Sequence, residues 1–469
     1  MTKLIDKVRH NSICDNLLWI IPLVLYIFFW IFDGVVWCAD TNSYVELNPS
    51  REPFYPMFLS LFRVIFGADT SIPNGQYLYL FVAVGVQSIF AAIVTSVMAF
   101  FLRKEYKLGA LGSYAVMALP LMTSLLCRFA ANRASMYTNS IMTESLTISL
   151  YLLFFRFLID YVIHYSRRAM WACILLSFIG ISVRKQMLVC LALIIIGIIY
   201  VSIKTKSGLI KGVLKAVLLS LLVLTCVKAL DLGYNRVVRG KWMTHTEDNR
   251  FVTTMALYTA DREYVEYIDP RLQDLFLQIY DICDENGWLM NSEPTGIYNR
   301  SEHFSNNYDH IQLDTMQQIL LSVKDTGEYD FLGEGEVMDL IRESFNASLL
   351  PHEVGRLLKV FGINFIAGMV TTVSQNRPIF YRYTLLAFAA YIGLLVRNIV
   401  KERRVSAASM MGICVLLGII GNVSLVSAVI FCQTRYTIYN MALFYMAMVV
   451  MAADIGWCGS NKQAGKIEK

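Results

Sequence analysis

The first apolar run of this 469-residue chain is followed by a polar stretch, Cys38-Ala-Asp40-Thr-Asn-Ser-Tyr44-Val-Glu46-Leu-Asn-Pro-Ser-Arg51-Glu52-Pro53-Phe-Tyr55-Pro56. An acid just past a span, an arginine eleven residues on and a stiff Pro-x-x-Pro segment make a fixed polar corner at a membrane surface. Such a corner suits a lipid-linked phosphate. A guanidinium can clamp phosphate through two parallel N–H bonds, and a nearby carboxylate can orient and deprotonate an attacking hydroxyl. Plainer work is also open to these residues: Asp40 can cap the next helix and Arg51 can reach lipid headgroups.

Three further clusters have the same character. Arg128 and Arg133 precede Met142-Thr143-Glu144-Ser145, where Glu144 opens an apolar run. An acid in a first helical turn gains about 0.3 to 1 kcal/mol from the helix dipole, but a carboxylate at membrane depth needs a partner or a wet cavity. Ser182-Val183-Arg184-Lys185-Gln186 is a tight basic hairpin between two short apolar runs, and Gln433-Thr434-Arg435-Tyr436 precedes the last one. Asp33 stands inside the first run, and Arg236, Arg239 and Lys241 form a basic stretch that can hold an anionic lipid head or simply contact headgroups. His303 and His310 flank Asp309 at a spacing that is weak for metal and fits solvated histidines.

The elements that must position these residues follow from composition. The chain is 56% apolar and 16% charged, against about 25% charged in ordinary soluble proteins, which excludes a normal soluble enzyme. Apolar runs long enough for a hydrocarbon core of about 30 Å predict ten spans, near 16–37, 77–102, 108–127, 141–163, 169–183, 187–203, 212–231, 379–397, 407–431 and 436–456. The first is too long for a signal-peptide core and lacks a small-x-small site after it, so it reads as a retained helix. Eighteen basic residues fall in short segments on one side and seven on the other, so the positive-inside rule puts both termini in the cytoplasm. The four clusters then lie on the outer face.

Three parts follow: a membrane module over 1–232, a mainly helical extracytoplasmic segment over 233–376, and terminal spans with a tail over 377–469. Within the polar segment, Leu272, Leu275, Phe276, Ile279 and Ile282 keep helical spacing, as do Met316, Ile319, Leu320 and Val323, and Val354, Leu357, Leu358 and Phe361 after Pro351. The stretch 280–307, with its Asn, Gly, Ser and Pro, reads as loop, and 358–376 as an interfacial helix. Of ten cysteines only Cys283 sits in the polar segment, which gives no disulfide framework; a pair among Cys38, Cys127 and Cys432 is conceivable.

Taken in order, Asp40-x-x-x-Tyr44, Arg51-x-Pro53-x-Tyr55-Pro56 leading into a juxtamembrane helix, Thr143-Glu144-Ser145-Leu146 opening a span, Arg184 in a hairpin and Arg435-Tyr436 before a late span resemble the GT-C superfamily of integral-membrane glycosyltransferases. The branch most resembled holds the protein O-mannosyltransferases and the aminoarabinose transferase of lipid A. The likeness covers roughly 16–232 and the last spans. It implies an enzyme of the cell membrane that moves a sugar from a polyprenyl-phosphate donor to a glycan, lipid or protein acceptor outside the cytoplasm, with inversion and no part for nucleic acid. By that resemblance Asp40 is the catalytic base, while Tyr44, Arg51, Tyr55, Arg128, Arg133, Glu144, Arg184, Lys185 and Arg435 bind substrate. Many members carry paired acids in the first-loop motif. Here Thr41 follows Asp40, which puts dependence on a divalent metal in question, and no cofactor is assigned.

Two other readings stand beside this one. A lipid flippase or transporter predicts repeats and ionisable groups near mid-membrane, whereas no repeat is visible and the polar residues of interest gather at one face. A polysaccharide polymerase or ligase shares the spans and the large outer segment, and differs in needing a pyrophosphate-linked oligosaccharide. The charge distribution bears on all three. Residues 241–350 hold seven basic and 21 acidic residues, a net of −14, which leaves +19 for the remainder of a chain whose total is only +5. An acidic cap over a basic membrane part suits an anionic donor below and a separate acceptor above.

Overall fold

A computed structural model of the chain describes residues 2–130, 135–324 and 334–455. The protein is an all-α polytopic membrane protein, with no strand among the described residues. Its first half comprises α1 (Thr2–Asp33), α2 (Thr41–Val45), α3 (Phe54–Phe66), α4 (Leu78–Glu105), α5 (Ala110–Ala130), α6 (Glu144–His164), α7 (Arg167–Val183), α8 (Leu188–Lys204) and α9 (Leu209–Arg239). The polar segment forms α10 (Arg250–Thr259), α11 (Gln273–Glu285), α12 (Ile297–Asp309), a π-helical stretch over His310–Gln317, α13 (Gln318–Lys324) and α14 (Glu334–Leu349). The chain finishes with α15 (Val354–Val373), α16 (Pro378–Glu402), α17 (Ala407–Ser427) and α18 (Thr434–Asp454).

Nine helices among the described residues are long and apolar enough to cross a membrane, α15 among them. Both ends of α15, however, are tied to the polar segment. Arg356 donates to Thr259 O at 2.8 Å and Lys359 pairs with Glu293 at 2.6 Å, while Asn376, just past the other end, donates to Glu302 at 2.6 Å. A 20-residue helix is about 30 Å long, so a crossing would carry its ends to opposite sides. Both ends of α15 therefore lie against the polar segment, the placement expected of an interfacial helix, and α5, over Ala110–Leu126, is a further, shorter apolar helix.

Close packing in the bundle relies on small residues, as it must where lipid is as apolar as leucine. A Cβ at Gly85 on α4 would sit 2.4 Å from the Trp30 indole of α1, and one at Gly418 on α17 would sit 2.5 Å from the Phe155 ring of α6. The buried amide of Gln87 donates to Thr138 O at 2.7 Å and accepts from Tyr55 at 3.0 Å and Ser145 at 2.9 Å, joining α3, α4 and the approach to α6.

The polar segment has its own core around Phe276, Phe304, Tyr308, Leu320, Ile341 and Phe345. Phe431, from the α17–α18 connection, inserts into it with ring centroids 5.0 Å from Tyr308 and 6.3 Å from Phe304. That plug seats the segment over the start of α18. The loop expected over 280–307 is confined to 286–296: Gly296, at φ +93°, lets the chain turn into α12, and Ser301, Phe304 and Tyr308 then bury one helical face. Helical spacing was present there beneath a polar composition.

Candidate active site

The first loop is fastened to the start of α6 through backbone. α1 ends at Asp33, and Gly34 takes φ +61° with the Gln76 amide packed where a Cβ would stand, 2.4 Å away. The chain then runs beside the segment before α6, with Val36 N donating to Asn139 O at 2.8 Å and Ile141 N to Val36 O at 3.2 Å. Thr41 finishes the join: its buried hydroxyl accepts from Cys38 N at 2.8 Å and donates to Ile141 O at 3.2 Å. Thr41, directly after Asp40, is thus a strut that ties the first loop to the segment leading into α6.

Five charged residues from remote parts of the chain meet here. Asp40 Oδ1 accepts from Arg51 Nη2 at 2.8 Å and Oδ2 from Arg435 Nη2 at 3.0 Å. Glu144, whose side chain is 1% exposed, lies 2.8 Å from Arg184 Nη1 and 3.2 Å from Arg435 Nε. Arg435 therefore bridges the two carboxylates. Burial alone would raise the Asp40 carboxyl, but the guanidiniums of Arg435 and Arg51 outweigh it and hold the group far below the ordinary carboxylate range.

Supporting contacts fix each arginine. Arg51 Nε donates to Ser43 Oγ at 2.7 Å, and its guanidinium lies 4.7 Å from the Tyr44 ring centroid. Arg184 Nε donates to Gln186 Oε1 at 3.0 Å and Nη1 to Thr143 Oγ1 at 3.2 Å, while Gln186 Nε2 donates to Tyr436 O and to Asn422 Oδ1. The Tyr436 ring has Arg184 and Arg435 at 5.2 and 5.0 Å from its centroid, within cation–π range.

These groups face a cavity of about 750 Å³ between the bundle and the polar segment. Asp40, Arg51, Arg184 and Arg435 line its polar side, and Leu188, Leu425, Val429, Ile430 and Phe431 supply an apolar wall. Of the expected site residues, Asp40, Tyr44, Arg51, Arg184, Lys185 and Arg435 line this cavity, with Glu144 directly behind two of its arginines. Tyr55 does not: it is fully buried, edge-on to Tyr44 with centroids 5.1 Å apart, and so supports the site from beneath. The Arg128 side chain and Arg133 lie outside the described residues. Asp33, at the very end of α1, accepts from Ser135 Oγ and is absent from the lining. Cys38 and Cys432 are free thiols.

The sequence reading overlooked two parts of the site. Asp309, at the end of α12, lines the cavity from the polar segment and has no cation within ion-pair distance among the described residues. Partial burial first, then the neighbouring Asp314, raises its carboxyl above the ordinary range, with Arg435 opposing. Its signal, an acid opposite basic loops, is lost because it is one of 21 acids in residues 241–350. The other part is a chain of charges: Lys185 pairs with Asp248, Asp248 Oδ1 lies 3.1 Å from His245 Nε2, and His245 Nδ1 lies 2.6 Å from Asp231 Oδ2 on α9. His303 and His310 serve structure instead, the first against Gly287 O and Tyr258, the second stacked on Trp288.

Burial alone would lower the His245 pKa, but hydrogen bonds to Asp231 and Asp248 push it up to about 9. Its folded pKa is thus raised from 6.5, so the stability it lends is complete below that value and is lost as pH rises through about 9. The amount is about 3 kcal/mol at 1.36 kcal/mol per unit. Unfolding midpoints taken from about pH 6 to pH 10 should fall for the wild-type chain and stay much flatter for His245→Gln. Parallel profiles would assign the loss to other groups.

No family model, curated protein or solved structure matches the chain. What fold and site define is a class: a polytopic α-helical membrane protein with an arginine–carboxylate cavity at the end of the bundle that bears its polar segment.

Proposed function

We propose that the chain is a glycosyltransferase that moves a sugar from a polyprenyl-phosphate carrier to an acceptor at the outer face of the cell membrane, both termini being cytoplasmic. One observation carries the reading. Arg51, Arg184 and Arg435 converge on one cavity that is also lined by apolar side chains, a pairing that suits an anionic head on a greasy tail. In the free protein the three guanidiniums are paired with only two carboxylates, Asp40 and Glu144, which leaves a net positive charge. An incoming phosphate takes over hydrogen bonds that Asp40 now accepts, and the released carboxylate regains basicity as its two cations turn to the donor. The acceptor hydroxyl then attacks the anomeric carbon from the side opposite the phosphate. A C–O bond forms to the acceptor, the bond to the carrier oxygen breaks with its electron pair going to the phosphate, and the hydroxyl proton passes to Asp40. The departing phosphate is stabilised by arginine and needs no general acid.

The direct test is binding of a polyprenyl phosphate to the purified full chain in nanodiscs. Saturable binding is expected, weakened about tenfold or more by Arg51→Ala, in line with the loss of one charge-assisted hydrogen bond. Absence of binding by the wild-type chain would remove the donor class. Turnover confined to pyrophosphate-linked oligosaccharides would replace this reading with the polymerase or ligase.

A further inference from the structure

A second cavity, of about 520 Å³, lies between the end of α9, the first loop and the start of α14. Its charges are sorted along the chain: Arg239 ends α9 and Lys241 follows it, while the carboxylates, Glu247, Glu334 and Glu336, come from further along the polar segment, Glu247 being paired with Arg250 at 3.2 Å. Lys241 Nζ and Glu336 Oε2 stand 3.8 Å apart. The Arg239 guanidinium is fixed to the bundle side by donating to Asn235 Oδ1 and Leu47 O. One cavity thus offers cations on its membrane-helix wall and carboxylates on the facing wall.

Its depth is marked as well. α9 has 31 residues, about 46 Å at 1.5 Å per residue, and outlasts a hydrocarbon layer of about 30 Å. With its other end in the opposite interface, its last turns stand among headgroups. Trp242, just beyond α9, is 70% exposed with the Arg236 guanidinium 5.9 Å from its ring centroid, and Val237 is 86% exposed. An exposed tryptophan beside arginine at the end of a span is the pattern of the membrane–water interface. The cavity therefore opens at headgroup level, beside an apolar surface that acyl chains can cover.

We propose that this cavity binds the headgroup of an aminophospholipid, with the phosphate against Arg239 and Lys241 and the primary ammonium against Glu334 and Glu336. A phosphate carries the acceptor oxygens that guanidinium and ammonium donors match, and a primary ammonium carries three N–H donors for the carboxylates. A choline head offers the carboxylates charge without a donor, and a glycerol head offers no cation. The bound headgroup bridges α9 and α14, a second tie between bundle and polar segment beside Phe431. The site is independent of sugar transfer and stands whether or not the cavity at Asp40 takes a polyprenyl phosphate.

The test uses the full chain in nanodiscs of phosphatidylcholine alone, with added phosphatidylethanolamine, or with added phosphatidylglycerol, followed by native mass spectrometry of the lipid that survives delipidation. Preferential retention of one phosphatidylethanolamine per chain is expected, reduced about tenfold by Lys241→Gln and by Glu336→Gln. Both side chains reach solvent, 61% and 28% exposed, and an unchanged unfolding midpoint for either variant confirms its fold. Equal retention of the three lipids, or retention indifferent to both substitutions, overturns the site. Phosphatidylglycerol held in place of phosphatidylethanolamine overturns the ammonium half and with it the ligand class, and soluble phosphoethanolamine bound as tightly as the lipid overturns the membrane source.

Discussion

Asp40→Asn is expected to abolish the proposed sugar transfer while the protein still inserts and binds the lipid donor, a loss of at least the hundred- to ten-thousand-fold that a positioned general base contributes. Its donor affinity is expected to rise. In the wild-type chain both oxygens of Asp40 are engaged, with Arg51 at 2.8 Å and Arg435 at 3.0 Å, and a phosphate must compete with a fixed anion for those guanidiniums. Asparagine keeps an acceptor oxygen but not the charge, so the competitor weakens while the cations remain. Loss of turnover combined with equal or tighter polyprenyl phosphate binding is the signature of a base whose resting partners are the donor's own ligands. If Asp40→Asn retains turnover, proton removal belongs to another carboxylate. Asp309 is then the leading choice, since it lines the same cavity without an ion-pair partner among the described residues, whereas Glu144 is closed off by Arg184 and Arg435 and Asp33 is outside the cavity.

The resting state of Asp40 also bears on when the base can act. A carboxylate between two guanidiniums is a poor proton acceptor, because protonating it leaves Arg51 without its carboxylate and Arg435 with only Glu144. Basicity that appears only as the arginines turn toward a phosphate couples proton removal to donor occupancy, and an acceptor arriving alone meets an inert carboxylate. On the proposed function, this pairing predicts an order of binding, donor before acceptor.

The parts of this arrangement legible in the sequence were those set by sidedness. Apolar run length located a helix at each of the ten expected runs, and the excess of basic residues on one side made Arg51, Arg184 and Arg435 on the other conspicuous, as the positive-inside rule would have it for loops that face outward. Asp40 and Arg51 lie eleven residues apart and could be read as a local pair. The bridge from Arg435 to Asp40 spans 395 residues; sidedness places both at one end of the bundle and says nothing of the lateral distance. α12 was hidden for a different reason. Its buried Ser301, Phe304 and Tyr308 are separated by Glu302, His303, Ser305, Asn306 and Asn307, so a helical face existed under a composition that reads as loop. The Asp231–His245–Asp248–Lys185 chain was beyond reach because it needs the end of α9, the start of the polar segment and the α7–α8 turn at once, and each contributes a residue that alone is ordinary.

Glu144→Ala is expected to be the most damaging single truncation for stability. The carboxylate is almost sealed from solvent and neutralises Arg184 at 2.8 Å and Arg435 at 3.2 Å. Removing it leaves Arg184 without its carboxylate and Arg435 with only Asp40, and breaking a buried pair in this way costs about 3–5 kcal/mol. Arg184 cannot lose its proton to relieve the strain, so the structure must admit water or shift the α7–α8 turn. Thermal unfolding of the detergent-solubilised variant should show a markedly lower midpoint, and adding Arg184→Leu should recover part of the loss by removing the stranded charge. The double mutant separates charge from packing: recovery requires an electrostatic origin, whereas additive losses would mean that Glu144 matters for the volume it fills. Neither variant should bind the donor normally, since Arg184 is displaced in one and absent from the other.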